Sequence, residues 1–221
     1  LSELATADPE RDCTRCPRLA QYRAENRQAE PAWFNAPVPS FGDPNARLLI
    51  VGLAPGVRGA NRTGRPFTGD HAGELLYATL KRTGFASGCY DRRPDDGLTL
   101  VGSAVTNAVR CVPPQNKPTP AEIRSCRPFL EGVIARLRDL RAIVALGRIA
   151  HESVLRAFAV KLTACPFAHG CRHDLARGAE TIALFDSYHC SRYNTNTGVL
   201  TEAMFVDVFE HARSYLASFP N

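Results

Sequence analysis

The chain has 221 residues, 44% of them hydrophobic, and a formal net charge of +5. That is enough apolar matter for one sizeable core and too little for two comfortable domains, so a single domain over 1–221 is expected. No run of about 18 apolar residues occurs, so no helical membrane span is implied, and the polar, partly acidic residues 1–12 do not read as a secretory signal. Arginine supplies nearly all the positive charge, with lysine only at Lys81, Lys117 and Lys161. The excess favours a polyanionic partner only weakly. A cytoplasmic, reducing setting is the expectation. There, eight cysteines read as metal ligands or packing residues rather than disulfides.

In chain order, Cys13 and Cys16 form a C-x-x-C in the N-terminal segment. An apolar run at 48–53 reads as a buried strand. It leads into a glycine-rich loop through Ala54, Pro55 and Gly56 that continues over 61–70. The Gly-Lys-Ser/Thr ending of a phosphate loop is missing, which disfavours a nucleotide hydrolase. A helix is expected over 71–83, carrying Leu75, Leu76 and Leu80 and stopping at Gly84. A second run at 98–105 reads as a strand and is followed by Asn107 and Cys111. Thr119 to Glu122 reads as a capping box with Pro120 at the first helical position. Ile123, Leu130, Val133, Ile134 and Leu137 follow at helical spacing, and Cys126 lies among them. A third strand is expected at 142–146, a helix at 148–158, and a fourth strand at 181–185. A polar loop over 187–198 then leads to a last helix at 200–216 with Leu200, Met204, Val208, Ala212 and Leu216 on one stripe.

Continuous apolar strands alternating with helices indicate an α/β fold, a three-layer α/β/α sandwich with a four-stranded parallel sheet. Ligands of such sheets bind outside the carboxyl ends of the strands, so the loops after strands one, two and four share one rim. There, Asn107 offers one donor and one acceptor to an amide-like ligand edge, or it caps a turn. Asp70 offers a carboxylate, or it is the N-cap of the helix it precedes. Phe67 is by default a core residue. His189 can donate a hydrogen bond to a leaving group or carry a proton. The hydroxyl-rich loop, with Ser191, Arg192, Asn196 and Thr197, suits phosphate contacts or a plain solvated surface. Cys13 and Cys16 can bind one metal centre from a single turn, and two more thiolates would complete it. Zinc and a [4Fe–4S] cluster both fit, and spacing alone does not select the partners. A second zinc site from Cys165, His169, Cys171 and His173 is disfavoured against isolated small residues and loop histidines.

Cys13–Cys16, the 52–56 loop, the 61–70 stretch, Asn107 to Cys111 with the following Pro-Pro-Gln-Asn-Lys-Pro, and the 189–198 loop stand in a specific order. In that combination the chain resembles the iron–sulfur uracil-DNA glycosylases, and within them the broad-specificity group called family 5. The resemblance implies a [4Fe–4S] cluster on Cys13, Cys16, Cys111 and Cys126, tying the N-terminal segment 1–46 to the loop after strand two. It implies Asp70 as the catalytic acid, Asn107 as the base-reading residue, Phe67 as the aromatic under a flipped base, and His189 beside the base O2. It also implies a DNA substrate, duplex or single-stranded, containing a deaminated base. The Ala54-Pro55-Gly56 stretch lacks the water-positioning Asp or Asn of most uracil glycosylases, as in family 5. A tolerant pocket is therefore expected, taking hypoxanthine and xanthine beside uracil. One departure stands out: Cys190 occupies a position that is usually proline. The alternative class is a non-catalytic, metal-stapled nucleic-acid-binding module. Nothing in the chain asks for more than a monomer.

Overall fold

The computed structural model describes residues 7–219. Residues 1–6 of the N-terminal segment 1–46 lie outside the described residues. The elements run α1 (Pro17–Ala29), β1 (Phe41–Gly42), β2 (Leu48–Gly52), α2 (Ala60–Thr63), α3 (His71–Arg82), β3 (Ala86–Ser87), β4 (Thr99–Leu100), β5 (Ser103–Asn107), α4 (Pro120–Arg136), β6 (Ala142–Leu146), α5 (Arg148–Ala157), β7 (Arg172–Arg177), β8 (Glu180–Ser187), α6 (Arg192–Asn196) and α7 (Glu202–Ala217).

The main sheet has the order β1-β5-β2-β6-β8-β7. Its four central strands are parallel, as the apolar runs imply, because each is buried on both faces. Leu48, Ile50, Val105, Val144 and Phe185 face one way and pack with residues of α3 and α7. Leu49, Val51, Ala104, Ile143 and Leu184 face the other way and pack with residues of α4 and α5. This two-sided core is the expected three-layer sandwich.

The sheet also extends further than the sequence suggested. β1 pairs antiparallel with β5, and β7 pairs antiparallel with β8, so both edges are capped. The run at 98–105 is not one strand. Gly102 takes φ 56, which breaks it into β4, paired with β3, and β5, paired with β2. The capping box on α4 forms as expected: the Glu122 amide donates to Thr119 Oγ1 at 3.2 Å and the Thr119 amide to Glu122 Oε2 at 2.7 Å. Glu122 also accepts two bonds from Arg18, at 2.8 and 2.7 Å. Burial alone would raise its carboxyl, but Arg18 and Thr119 hold it below the usual range. Helix α1, which has little apolar pattern, is thereby joined to α4.

A buried polar chain closes the far side of the sheet. His151 Nδ1 lies 2.7 Å from Asp186 Oδ1, and its Nε2 lies 2.9 Å from the Cys165 carbonyl. With a carboxyl group on one ring nitrogen and a carbonyl on the other, the arrangement favours a hydrogen on both, the imidazolium form. His173 Nε2 donates to the other Asp186 oxygen at 3.2 Å. Burial alone would lower His151, but Asp186 and the Cys165 carbonyl outweigh it and raise the group above the ordinary histidine value. A raised folded-state value means the contribution is fully present below the unfolded value of about 6.5 and is lost as pH rises through the folded one. Urea unfolding of the native chain and His151→Gln from pH 6 to 9 should show the native advantage shrinking as pH rises. A difference flat across that range would remove the imidazolium.

Candidate active site and cysteine cavity

β2 and β5 run side by side in parallel, and their last residues, Gly52 and Asn107, are paired in register. The loops that leave these two strands and the loop that leaves β8 meet over the sheet's carboxyl edge, where an open α/β sheet binds ligands. A small cavity of about 30 Å³ opens there, lined by Ala54, Pro55, Gly56, Ala60, Phe67, Asp70, Ala72, Asn107 and His189. Every residue named from sequence as catalytic or base-binding therefore borders one space. The missing side chain at Gly52 makes this possible. A Cβ there would collide with Asn107 Oδ1 and come within 2.5 Å of Phe67 Cζ.

Asp70 is both things the sequence left open. It caps α3, its Oδ1 accepting from the Gly73 amide at 3.2 Å, while Oδ2 lies against Gly56 and Gly59 at the cavity. Burial raises its carboxyl above the ordinary value, against the amides of Gly73 and Ala72, which lower it. His189 has its ring 6.1 Å from that of Phe67, at 28°. Burial pushes His189 down to about 4, so the ring is a neutral hydrogen-bonding group at physiological pH. Its carbonyl accepts from Asn194 Nδ2 at 2.8 Å, which fixes the backbone that carries the ring. Phe67 sits in the left-handed region at φ 51, a conformation that costs a bulky residue on the order of 1 kcal/mol or more. Cys190 does not line the cavity. It is fully buried in the main core, its thiol directed at the Ala72 carbonyl 3.5 Å away.

The 187–198 loop is more ordered than a solvated loop. Ser191 caps α6, its Oγ accepting from the Asn194 amide at 3.3 Å, and the Thr197 hydroxyl donates to the Tyr193 carbonyl at 2.8 Å. Those two hydroxyls are thus used internally, whereas Arg192 and Asn196 are exposed. Sequence reasoning did not single out Tyr193, which is 73% exposed on α6, with Val199 also exposed in the connection after it. It also missed His71, whose Nε2 lies 3.1 Å from Thr195 Oγ1 and links α3 to this loop. An aromatic amid polar loop residues was the available signal for Tyr193.

Cys13, Cys16, Cys111 and Cys126 line a second, narrow cavity of about 10 Å³ with Leu19, Val109 and Phe129. They arrive from the N-terminal segment, the position before α1, the loop after β5, and α4. Arg23 Nη1 donates to Cys111 Sγ at 3.5 Å, and the Arg110 amide to Cys126 Sγ at 3.3 Å. Burial pushes Cys111 up to about 12 and Cys126 to about 11, and it raises Cys16. Four thiols around an apolar space, with N–H donors already aimed at sulfur, are a donor set suited to a thiolate-bound metal centre. Cys165, His169, Cys171 and His173 form no such set. Among the described residues, the group of three close enough to share one ion is His151, His173 and Asp186, the hydrogen-bonded chain described above.

The signature of the uracil DNA glycosylase superfamily matches residues 39–213. The chain belongs to that superfamily. A type-5 uracil-DNA glycosylase of Thermus thermophilus is 48% identical over 207 residues, covering 91% of this chain and 92% of the relative. A type-5 enzyme of Mycobacterium bovis is 43% identical over 210 residues, covering 91% and 77%. A type-4 uracil-DNA glycosylase of Archaeoglobus fulgidus is 31% identical over 153 residues, or 69% of each chain. The chain is thus an enzyme of the glycosylase class, and the resemblance read from its motifs holds. Gly52→Ala should depress base release by at least about tenfold and lower the unfolding midpoint as well, because the Asn107 amide and Phe67 ring it displaces are buried. Equal activity in the two proteins would show that the placement of Asn107 and Phe67 beside Gly52 is dispensable.

Proposed function

We propose that the chain hydrolyses the N-glycosidic bond of uracil in DNA, and of hypoxanthine and xanthine, after flipping the base out of the helix. The observation that carries this reading is the single cavity shared by Phe67, Asn107, Asp70 and His189 at the sheet's carboxyl edge. A base inside a duplex cannot reach such a pocket without rotating out of the stack. Phe67 offers a face to the extruded ring, and the Asn107 amide reads its edge. Breaking the C–N bond leaves positive charge on the sugar and negative charge on the base. The carboxylate of Asp70 faces the first, and the neutral His189 ring donates a hydrogen bond to the second, beside O2. Asp70 also orients the water that completes hydrolysis. Ala54, Pro55 and Gly56 contribute backbone and small apolar surface but no polar side chain. A wall of that kind discriminates weakly between bases.

The 191–198 loop lies on the DNA backbone in this reading, through Ser191, Arg192, Asn196 and Thr197. Exposed Tyr193 at its tip is shaped as a wedge for the gap left by the flipped nucleotide. Cys13, Cys16, Cys111 and Cys126 hold a [4Fe–4S] cluster, whose chemistry here is to cross-link the N-terminal segment to the loop after β5. The chain acts as a monomeric, single-domain enzyme of the cytoplasm.

Labelled duplexes carrying uracil, hypoxanthine or no lesion, treated with protein and then with alkali, test the activity. Base release is expected from both lesions and not from intact DNA, and it should collapse in Asp70→Ala. No release by cluster-loaded protein would favour a binding module. The pH profile tests the role of the carboxylate. Because Asp70 is raised, kcat/KM should fall on the acid side at a pH above the ordinary carboxylate value of about 3.9. Asp70→Asn should flatten that limb. For the cluster, Cys111→Ser and Cys126→Ser should lose visible absorption at about 400 nm and two or more iron atoms per chain. Variants with native absorption and iron would assign the ligands elsewhere.

A further inference from the structure

The stretch 65–70 carries both Phe67 and Asp70, and its backbone is held from behind by a buried cation and two tyrosines. The Arg65 guanidinium is almost fully buried and donates to both oxygens of Asp96, at 2.8 Å each. Its Nε donates to Thr68 Oγ1 at 2.7 Å, and Thr68 in turn donates to the Pro66 carbonyl at 3.2 Å. The rings of Phe41, Tyr77 and Tyr90 surround it, with centroids 5.2, 5.6 and 5.8 Å from its central carbon. Burial alone would raise Asp96, but Arg65 and the amides of Asp91 and Leu98 hold it far below the usual carboxylate range, so the pair stays charged. The Tyr77 hydroxyl donates to the Pro66 carbonyl at 2.6 Å, and the Tyr90 hydroxyl to the Phe67 carbonyl at 3.3 Å. Helix α3 leaves room for the second bond only because residue 73 is glycine. A Cβ there would overlap the Phe67 carbonyl and lie 2.6 Å from the Tyr90 hydroxyl.

These contacts converge on the one residue of the site with a left-handed backbone. If its carbonyl were released, Phe67 would relax toward negative φ, and ring and carbonyl would rotate together. We propose that Tyr90 and Arg65 are positioning residues for glycosidic-bond cleavage. Tyr90, through the Phe67 carbonyl, and Arg65, through Thr68 and its pair with Asp96, fix the turn that presents Phe67 to the base and Asp70 to the sugar. The proposal rests on Phe67 being the platform for the base.

Tyr90→Phe removes one oxygen and leaves the ring in the cage. Single-turnover release of uracil from duplex DNA should slow about three- to tenfold, the scale of one lost hydrogen bond. The inhibition constant of free uracil should rise by a similar factor. Half-saturation by lesion-free duplex and the active fraction should stay at native values, and the unfolding midpoint should fall only by the small amount one lost hydrogen bond costs, which a general loss of structure would exceed. Arg65→Lys keeps the charge but cannot form the planar two-pronged pair, and it should lose more. Phe67→Ala is measured alongside. If Phe67→Ala weakens free uracil but Tyr90→Phe leaves both the rate and the inhibition constant native, the positioning role of Tyr90 is overturned. Native kinetics in folded Arg65→Lys overturn that of Arg65. If Phe67→Ala itself leaves free uracil unaffected, it is the platform reading that fails.

Discussion

The parallel pairing of β2 with β5 is the constraint on which the rest of the structure depends. It brings the ends of two strands, distant in sequence, to adjacent positions and leaves Gly52 beside Asn107. Without a side chain at Gly52, the Asn107 amide and the Phe67 ring occupy the same small region, and the remaining groups of the cavity are arranged around them. Asp70 reaches the region because α3 starts there, and His189 because β8 ends there. The helices on the two faces of the sheet keep the strands apart from water and so keep their carboxyl ends in register.

A second theme is the number of cations taken out of water. Arg65 faces Asp96, Arg110 faces Asp8 at 2.7 Å, and His151 faces Asp186. In each case the carboxylate comes from a different segment than the cation. Such pairs contribute little net stability compared with apolar replacements, but breaking one leaves an unpaired buried charge, so the segments they join cannot separate cheaply. The arginine-rich composition is thus only partly a surface property. Because each buried arginine takes one acid with it, the net charge of +5 is left to the remaining residues.

How much of this was legible in the sequence depended on the kind of interaction. The four central strands were legible because strands buried on both faces must be continuously apolar. The capping box was legible because Thr119 and Glu122 stand at the one spacing that satisfies both end groups. Convergence of loops at the carboxyl ends of parallel strands put the candidate loops on one rim, but Phe67 and Asp70, which read as a core residue and a helix cap, were assigned to the site only by the family resemblance. Helix α1 escaped notice because its buried positions are Leu19, Arg23 and Asn26, two of them polar: Arg23 reaches the distant Cys111 Sγ, and Asn26 Nδ2 bonds the Tyr22 carbonyl of its own helix. β7, with Leu175 as its one buried residue, carries no alternating signal. The interruption at Gly102 hides within an apolar run. The Arg65 cage and the His151 chain were invisible for the same reason: a buried charge is recognised by its partner, and the partner lies tens of residues away.

The bond between Arg18 and Glu122 has a consequence for how the cysteine cavity comes to exist. Its two residues are separated by 104 positions, and closing a loop of that size costs a free chain about 4 kcal/mol in entropy. Cys16 stands two residues before Arg18, and Cys126 four residues after Glu122; Ser125 Oγ adds a bond to the Arg15 carbonyl at 3.2 Å. The ring is therefore already closed by polar contacts right beside the thiols. Sulfur atoms from the two ends of the loop meet at the high local concentration of neighbours on a closed ring, not as distant points on an open chain.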